Sequence, residues 1–386
     1  MSNSRKVYLD NASTTFPKAP GVAQRVSEFI EQIGCNVGRG EYEDAYSAAE
    51  VVLDTRERLC ALFGLDEPRN VIFTQNVTAA LNMVLKGFFK EGDHLLVSAM
   101  EHNAVMRPVT QLLDDGVTFD RIPCSRDGEL LFDEMEPLLR PSTKAIVMTH
   151  ASNICGTLLP IEQVGKFCRQ HGLWLIVDCA QTGGVYPINM KSMQIDALCF
   201  TGHKGLLAPQ GIGGFLITDA FAKELTPLLS GGTGSFSNLE TLPTLLPDRF
   251  EAGTPNLPGI YGLNTSLQYL ESYGIERIQA EEQALTQRMS NGLAGINDLR
   301  VVGVTDVTKK SAIVSLDFLG RDNAEVAYRL DSEYGIMARC GLHCAPNAHK
   351  TLGTYPQGTV RFSFSHFNTA AQIDYAVECI HKILSD

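Results

Sequence analysis

LWLIVDCAQTGGVYPINMKSMQIDALCFTGHKGLLAPQGIGG, residues 173–214, carries two apolar runs that each stop on polar residues. LWLIVD is an apolar run of strand length, rich in branched side chains, and it stops on an acid. A strand buried on both faces of a parallel sheet reads this way when it delivers a carboxylate to the sheet edge. A second apolar run, IDALCF, ends in Thr201-Gly202-His203-Lys204-Gly205, so a lysine stands where a strand gives out into glycine-rich loop. Asp178, Gln181, His203 and Lys204 would then share the carboxyl edge of neighbouring strands, where open α/β sheets hold ligands. A lysine buried there loses charge by desolvation and can serve as a Schiff-base amine. An acid on the adjacent strand end is the partner that a protonated pyridine nitrogen requires. Two core strands with a solvated lysine in a turn would be a plainer reading. It leaves His203 and the two matching polar strand ends without a reason, and a cofactor accounts for both.

Composition sets the frame around this stretch. A chain of 386 residues is long for one ordinary domain and suggests a large unit with a smaller one. Hydrophobic content of 44% and charged content of 20% suit a soluble enzyme with ample core. No run approaches the ~18 apolar residues of a membrane span. The opening MSNSRKVYLDNASTT lacks an apolar signal core, so a cytoplasmic location is expected. Ten cysteines scattered among apolar residues are expected to be reduced and mostly buried. A net charge of −12 argues against nucleic acid as a partner, because phosphate backbones need a basic surface.

The alternation of strands and helices extends in both directions. Val7 to Asp10 reads as a short strand followed by the polar NASTT turn, and Gly21 to Ile33 and Tyr46 to Phe63 have helical periodicity. VIFT (Val71 to Thr74) is a strand that turns into a helix through Gln75-Asn76-Val77-Thr78, which would offer free backbone amides to a phosphate. Read alone, Thr78 serves equally as a helix cap. HLLVSAM ends in Glu101-His102-Asn103 and KAIVMTH in Ala151-Ser152-Asn153, which puts His102 and Asn153 on the same edge as Lys204. An imidazole there can be structural or can stack on a cofactor ring. With GGFLIT (Gly213 to Thr218) the pattern is that of a doubly wound, mostly parallel sheet.

Beyond it the composition changes. Ser230 to Pro258 is rich in Gly, Ser, Thr and Pro and reads as a long functional loop, since FEAGTPN (Phe250 to Asn256) is too particular for a spacer. A helical region from Leu257 to Gly295 leads to a smaller α+β unit with strands in SAIVSLDF and TVRFSFS and a closing helix. Between those strands lies Arg339-Cys340-Gly341-Leu342-His343-Cys344-Ala345-Pro346. Cys340, His343, Cys344 and His349 form no zinc pattern, because no second CxxC-type pair accompanies them. Neither a Walker A nor a GxGxxG loop is present. A cysteine in a loop rich in Gly and His can be a reactive thiol instead.

Together these residues resemble the cysteine desulfurases and selenocysteine lyases, in the class V aminotransferase branch of pyridoxal-phosphate enzymes of fold type I. YLDNASTT, the Glu-His at 101–102, SN-x-x-GT at 152–157, D-x-A-Q at 178–181, TGHK at 201–204, FEAGTPN and R-x-G-x-HCAP carry the resemblance over nearly the whole chain. The short segment from Cys344 to Val360 is similar to the group with a short cysteine loop, which also holds the selenocysteine lyases. The resemblance implies a cofactor-binding domain over residues 15–260, and a small domain of residues 1–14 and 261–386 that carries the catalytic-cysteine loop.

It also implies roles. Lys204 would hold pyridoxal phosphate covalently and later shuttle the substrate Cα proton. Asp178 would keep the pyridine nitrogen protonated, Gln181 would contact the phenolic oxygen, and His102 would stack on the ring. Thr78, Thr201 and His203 would bind the phosphate, joined by Thr254 from the partner subunit of a homodimer. Arg361, Asn153 and Arg339 would grip the substrate carboxylate, for which a guanidinium fork is well shaped. Cys344 would attack the sulfur of L-cysteine, leaving a persulfide for an acceptor protein and releasing alanine, with L-selenocysteine as the alternative substrate. The chain departs from the pattern in places. Val77 stands where related enzymes often carry a second hydroxyl, Thr201 replaces a serine, GGTGSFS (Gly231 to Ser237) is unlike its counterparts, and Cys340 is either a resolving thiol or filler. The rival readings are another class V transaminase or lyase with Cys344 a bystander, or an idle sulfur-handling scaffold, against which Lys204 speaks.

Overall fold

The structure is a computed structural model describing residues 6–37, 40–235, 238 and 240–385. The chain opens with Val7–Tyr8 (β1), then Val22–Glu28 (α1) running into a π-helical turn at Phe29–Ile33, then Glu43–Phe63 (α2). Seven strands follow: Val71–Thr74 (β2), His94–Ser98 (β3), Thr118–Ile122 (β4), Thr143–Thr149 (β5), Trp174–Asp178 (β6), Ala197–Thr201 (β7) and Gly213–Ile217 (β8). Val77–Phe88 (α3), Asn103–Gln111 (α4), Ile161–His171 (α5) and Asp219–Glu224 (α6) are set among them. The strands form one sheet in the order β2-β8-β7-β6-β5-β3-β4, parallel except for β8, which runs antiparallel to both neighbours. The loop from β7 to β8 contains no helix that could cross over a sheet face, so the chain returns antiparallel.

The apolar runs of the inner strands are continuous because each of them buries both faces. Leu96, Ile146, Met148, Leu175, Val177, Leu198 and Phe200 belong to one core. Their neighbours Leu95, Val97, Ala145, Val147, Ile176, Ala197 and Cys199 belong to the core on the other side. This is the period of two expected of a pleated sheet with helices on both faces. Each fully buried Leu, Ile or Val contributes about 1.5–3 kcal/mol, so the strands cannot shift register without exposing a whole face. Strand β4, TFDRI, escaped the sequence reading because it is the outer strand and keeps Thr118 and Arg121 in solvent.

The second half starts with Leu257–Tyr273 (α7) and Ile275–Gly292 (α8). The sequence suggested one helical region here, and Gly274, at φ 94, splits it. Next come Leu299–Val302 (β9), Ile313–Phe318 (β10), Asn323–Tyr334 (α9), Ile336–Met337 (β11), Arg339–Gly341 (β12), Pro346–Leu352 (α10), Thr359–Ser363 (β13) and Ala370–Ser385 (α11). The order β12-β13-β10-β9 makes a four-stranded antiparallel sheet with its own core. Strand β1 pairs with β11, which carries the start of the chain to this end of the molecule.

The Gly- and Thr-rich stretch before α7 has no helix or strand among its described residues, and Phe236 and Ser237 of GGTGSFS lie outside them. FEAGTPN within it is anchored. The Glu251 carboxylate takes both nitrogens of Arg56, at 3.0 and 2.7 Å, and the Phe73 backbone N–H of β2 at 2.6 Å. Among the described residues no helix is long and apolar enough to cross a membrane.

Candidate active site

Strands β6 and β7 are parallel neighbours, so Asp178 and the Thr201–Lys204 turn emerge side by side. Asp178 is 3% exposed, and its Oδ1 accepts the Ala180 N–H at 2.9 Å. Burial raises its pKa, while the Ala180 N–H and the charge of Lys204 pull the other way. Burial also pulls the Lys204 amine down to about 8, and Asp178 resists that shift. The polar turn after β1 clasps this corner. Thr15 donates to the Lys204 carbonyl at 2.9 Å, and Thr14 and Lys18 donate to the His203 carbonyl at 3.2 and 2.8 Å. Gln181, whose Nε2 donates to the Ala12 carbonyl at 3.2 Å, lines a 40 Å³ cavity together with Lys204.

Two polar atoms at this corner lack a partner. Thr201 Oγ1 and His203 Nδ1 are buried and make no hydrogen bond. A buried polar group left unpaired costs about 1–3 kcal/mol, so the pair marks a place built for a ligand with acceptor oxygens. Burial, then the charges of Lys204 and Lys18, lower the His203 pKa to about 4, so the ring is neutral at physiological pH. Thr78 lies in the first turn of α3, whose cap Asn76 takes the Ala79 N–H at 2.9 Å. Val77 beside it is buried among apolar side chains. A phosphate monoester fits this donor set, as an aldehyde fits Lys204 and a protonated ring nitrogen fits Asp178. Thr254 stands apart: it is exposed and lines a different cavity, of about 440 Å³, with Arg56, Gln75, Phe250 and Asn256.

His102 caps α4, its Nδ1 accepting the Ala104 N–H at 3.0 Å, which leaves Nε2 as the protonated nitrogen of a neutral ring. Burial, then Lys204, lower its pKa to about 4. The sequence motif gives Glu101 no role of its own. It is buried and ties two strand ends together, taking the Ser98 hydroxyl at 2.5 Å and the Thr149 N–H at 2.9 Å. Burial raises its pKa to about 8.

Strands β12 and β13 bring two arginines into register, Arg339 opposite Arg361. Arg361 is 1% exposed. Its Nη1 donates to the Asn153 carbonyl at 2.8 Å, and its Nη2 to Asp10 at 2.9 Å and Ser13 at 2.8 Å. Its Nε and the Asn153 Oδ1 are buried without partners. Asp10 and Ser13 were not singled out from sequence, although YLDNASTT held the signal: an acid and a hydroxyl at the end of a short strand.

The loop after β12 carries Cys344 with its side chain exposed. His343 and Cys344 are both left-handed, at φ 48 and 59. Such residues cost about 1–3 kcal/mol each and persist only when their surroundings over-determine them. Here Asn153 Nδ2 donates to the His343 carbonyl at 2.7 Å, and the Asn103 N–H at the start of α4 donates to the Cys344 carbonyl at 2.8 Å. Arg339 Nη2 lies 3.9 Å from Cys344 Sγ.

Cys340 does not share this face. It alternates with Arg339 along β12 and packs against the core of the four-stranded sheet, where burial raises its thiol pKa. The resolving-thiol option falls, because a strand turns successive side chains to opposite faces. Among the described residues no group of three or more His, Cys, Asp or Glu is arranged to hold a metal ion.

The aminotransferase class-V family model matches residues 7–376. A "Probable cysteine desulfurase" of Mycolicibacterium paratuberculosis is 32% identical over 386 residues, 98% of this chain and 55% of that protein. The chain therefore spans about half the length of that relative. Another protein with the same description, from Methanothermobacter thermautotrophicus, is 31% identical over 98% of this chain and 94% of its own length. The apo structure of a cysteine desulfurase from Thermococcus onnurineus superposes with a TM-score of 0.91 at 29% identity, covering 98% of this chain and 95% of that one.

Proposed function

The chain belongs to the class-V aminotransferase family, and from that premise we propose that it is a pyridoxal-phosphate-dependent cysteine desulfurase. In this reading L-cysteine becomes L-alanine and its sulfur passes to Cys344. The observation that carries it is the docking of an exposed thiol loop onto the strand edge that also presents Lys204. Asn103 and Asn153, which follow β3 and β5, hold the carbonyls of Cys344 and His343.

Pyridoxal phosphate, bound at this corner, supplies the electron sink for the substrate's α-carbon. The chain's own groups do the rest. Lys204 would hold the cofactor, and its amine, with a pKa of about 8, would take and return the proton at that carbon. Asp178 would keep the ring nitrogen protonated, Gln181 would meet the phenolic oxygen, and neutral His102 would lie against the ring. Thr78, Thr201 and His203 would hold the phosphate. Arg361, with Asn153 and Arg339, would orient the substrate carboxylate; Arg361 Nε and Asn153 Oδ1 are the atoms still without partners. The Cys344 thiolate attacks the substrate sulfur, so an S–S bond forms as the Cβ–S bond breaks. The electron pair stays with carbon, which is protonated to give alanine.

The family resemblance implies a homodimer, in which Thr254, exposed and lining a cavity apart from the one that Lys204 lines, would reach the phosphate of the partner subunit. Residues 15–260 would then form the cofactor-holding domain, and residues 1–14 with 261–386 the domain carrying Cys344. A chain whose ten cysteines are all free suits a reducing compartment such as the cytoplasm, with an acceptor protein to discharge the persulfide. Purified protein loaded with pyridoxal phosphate and given L-cysteine should release alanine and gain one reductant-labile sulfur atom on the Cys344 peptide by mass spectrometry. A parallel arm with L-selenocysteine separates the two substrates. Alanine released without sulfur on Cys344 would count against the proposal.

A further inference from the structure

His349 has no part in the chemistry above. It sits on α10 with no exposure to solvent, and its ring stacks on His343 at 5.6 Å between centroids and 22° between planes. Four groups form a line. Thr354 Oγ1 is 2.7 Å from His349 Nδ1, His349 Nε2 is 3.4 Å from His343 Nδ1, and His343 Nε2 is 3.2 Å from the Arg339 carbonyl. A carbonyl only accepts, so His343 carries its proton on Nε2 and offers a bare Nδ1. His349 must then donate from Nε2, which leaves its own Nδ1 to accept the Thr354 hydroxyl. That hydroxyl also approaches the His349 carbonyl, at a weaker 3.5 Å. One tautomer assignment satisfies these three links, and the Leu342 carbonyl is a further hydrogen-bond partner of the His349 ring. Burial keeps both rings neutral, lowering His343 to about 2 and His349 to about 4. The line ends on a carbonyl that cannot pass a proton onward, so it conducts nothing.

What the line does is hold His343, the residue before Cys344 and the first of the two left-handed residues. The Asn153 amide grips the His343 carbonyl, and His349, on a helix whose Ala348 and Leu352 pack into the large-sheet core, fixes the ring. We propose that His349 is a positioning residue for Cys344, holding through His343 the loop conformation that aims the thiol at the substrate sulfur. The proposal rests on the reading of Cys344 as the nucleophile.

The test compares His349→Ala with His349→Gln in the full chain loaded with pyridoxal phosphate. Glutamine retains an N–H able to reach His343 Nδ1. His349→Ala should keep the cofactor absorbance but lose about 10²-fold in kcat for L-cysteine with KM little changed, as expected when a reacting atom is misplaced by about 1 Å. Alkylation of Cys344 by iodoacetamide, followed by mass spectrometry in the absence of substrate, should slow as Sγ leaves its place beside Arg339. His349→Gln should recover most of both losses. Wild-type kcat and alkylation in the alanine variant, or equal losses in the alanine and glutamine variants, would overturn the proposal. Should His349→Ala fail to fold, Thr354→Val, which removes the hydroxyl that sets the His349 tautomer, should show a smaller loss in the same direction; unchanged kcat and alkylation there would overturn it too. Cys344→Ala, run alongside, separates the two ideas. If that variant is dead and His349→Ala is not, only the positioning role fails. If it turns over cysteine normally, the nucleophile reading fails with it.

Discussion

The two walls of the site are built on opposite plans. The wall that presents Asp178 and Lys204 is made of strand ends, buried on both sides, whose side chains have nowhere else to go. The wall that presents Cys344 is a short loop with two left-handed residues and an exposed thiol, held from outside by Asn103, Asn153 and His349. In the proposed reaction, rigid burial would tune the charges of the groups that act on carbon, and an exposed thiol would be free to reach substrate and afterwards meet an acceptor. The contrast suggests that mutations on the first wall act through electrostatics, and those on the second through geometry.

Lys204→Ala tests that contrast most severely. It should abolish turnover and any borohydride-reducible bond to the cofactor together; a covalent bond surviving in the variant would move the assignment to another lysine. Cys344→Ala comes next. It should end alanine release from L-cysteine yet leave the cofactor spectrum unchanged, because the Cys344 thiol meets Arg339 and none of the groups that would hold the cofactor. Some activity on L-selenocysteine should survive, since selenium is ionised near neutral pH and its carbon bond is weaker. Undiminished cysteine turnover would make the thiol a bystander and favour another class V reaction.

Smaller effects sharpen the comparison. Mixing inactive Thr254→Ala and Lys204→Ala subunits should restore part of the activity, since one of the two sites in each heterodimer then carries neither lesion. Confirmed subunit exchange without recovery would mean that Thr254 serves its own chain or none.

The buried imidazoles of the loop give a pH test. The folded-state pKa of His349 is lowered to about 4, so its contribution to stability is complete above about 6.5 and is lost as pH falls toward 4. The loss amounts to about 2 kcal/mol by pH 5. Thermal melts should therefore show the wild type losing more stability than His349→Gln between pH 7 and 5. Glu101, raised to about 8, acts with the opposite sign and is common to both proteins, so it cancels in the comparison. Cys340→Ala should change least. Its thiol faces the small core, and activity should stay within a few-fold, with only the modest destabilisation expected when a half-buried side chain is shortened.

The large sheet, apart from its outer strand β4, and the first wall were legible along the chain. Apolar runs ending in Asp178, Lys204 and His102 can be read along the chain because strand burial and strand ending are local properties, written in residues that lie next to one another. The sequence also marked Cys344, through the residues around it. Folding alone sets which way Cys340 faces, how Asp10 and Ser13 hold Arg361, and that Glu101 ties β3 to β5. The line from Thr354 through His349 and His343 to Arg339 belongs with these. Such contacts join residues from different elements, or from opposite ends of the chain, and a hydrogen bond carries no signature in either partner's sequence neighbourhood. They exist because the folded core brings buried polar atoms together and leaves them only one another to satisfy.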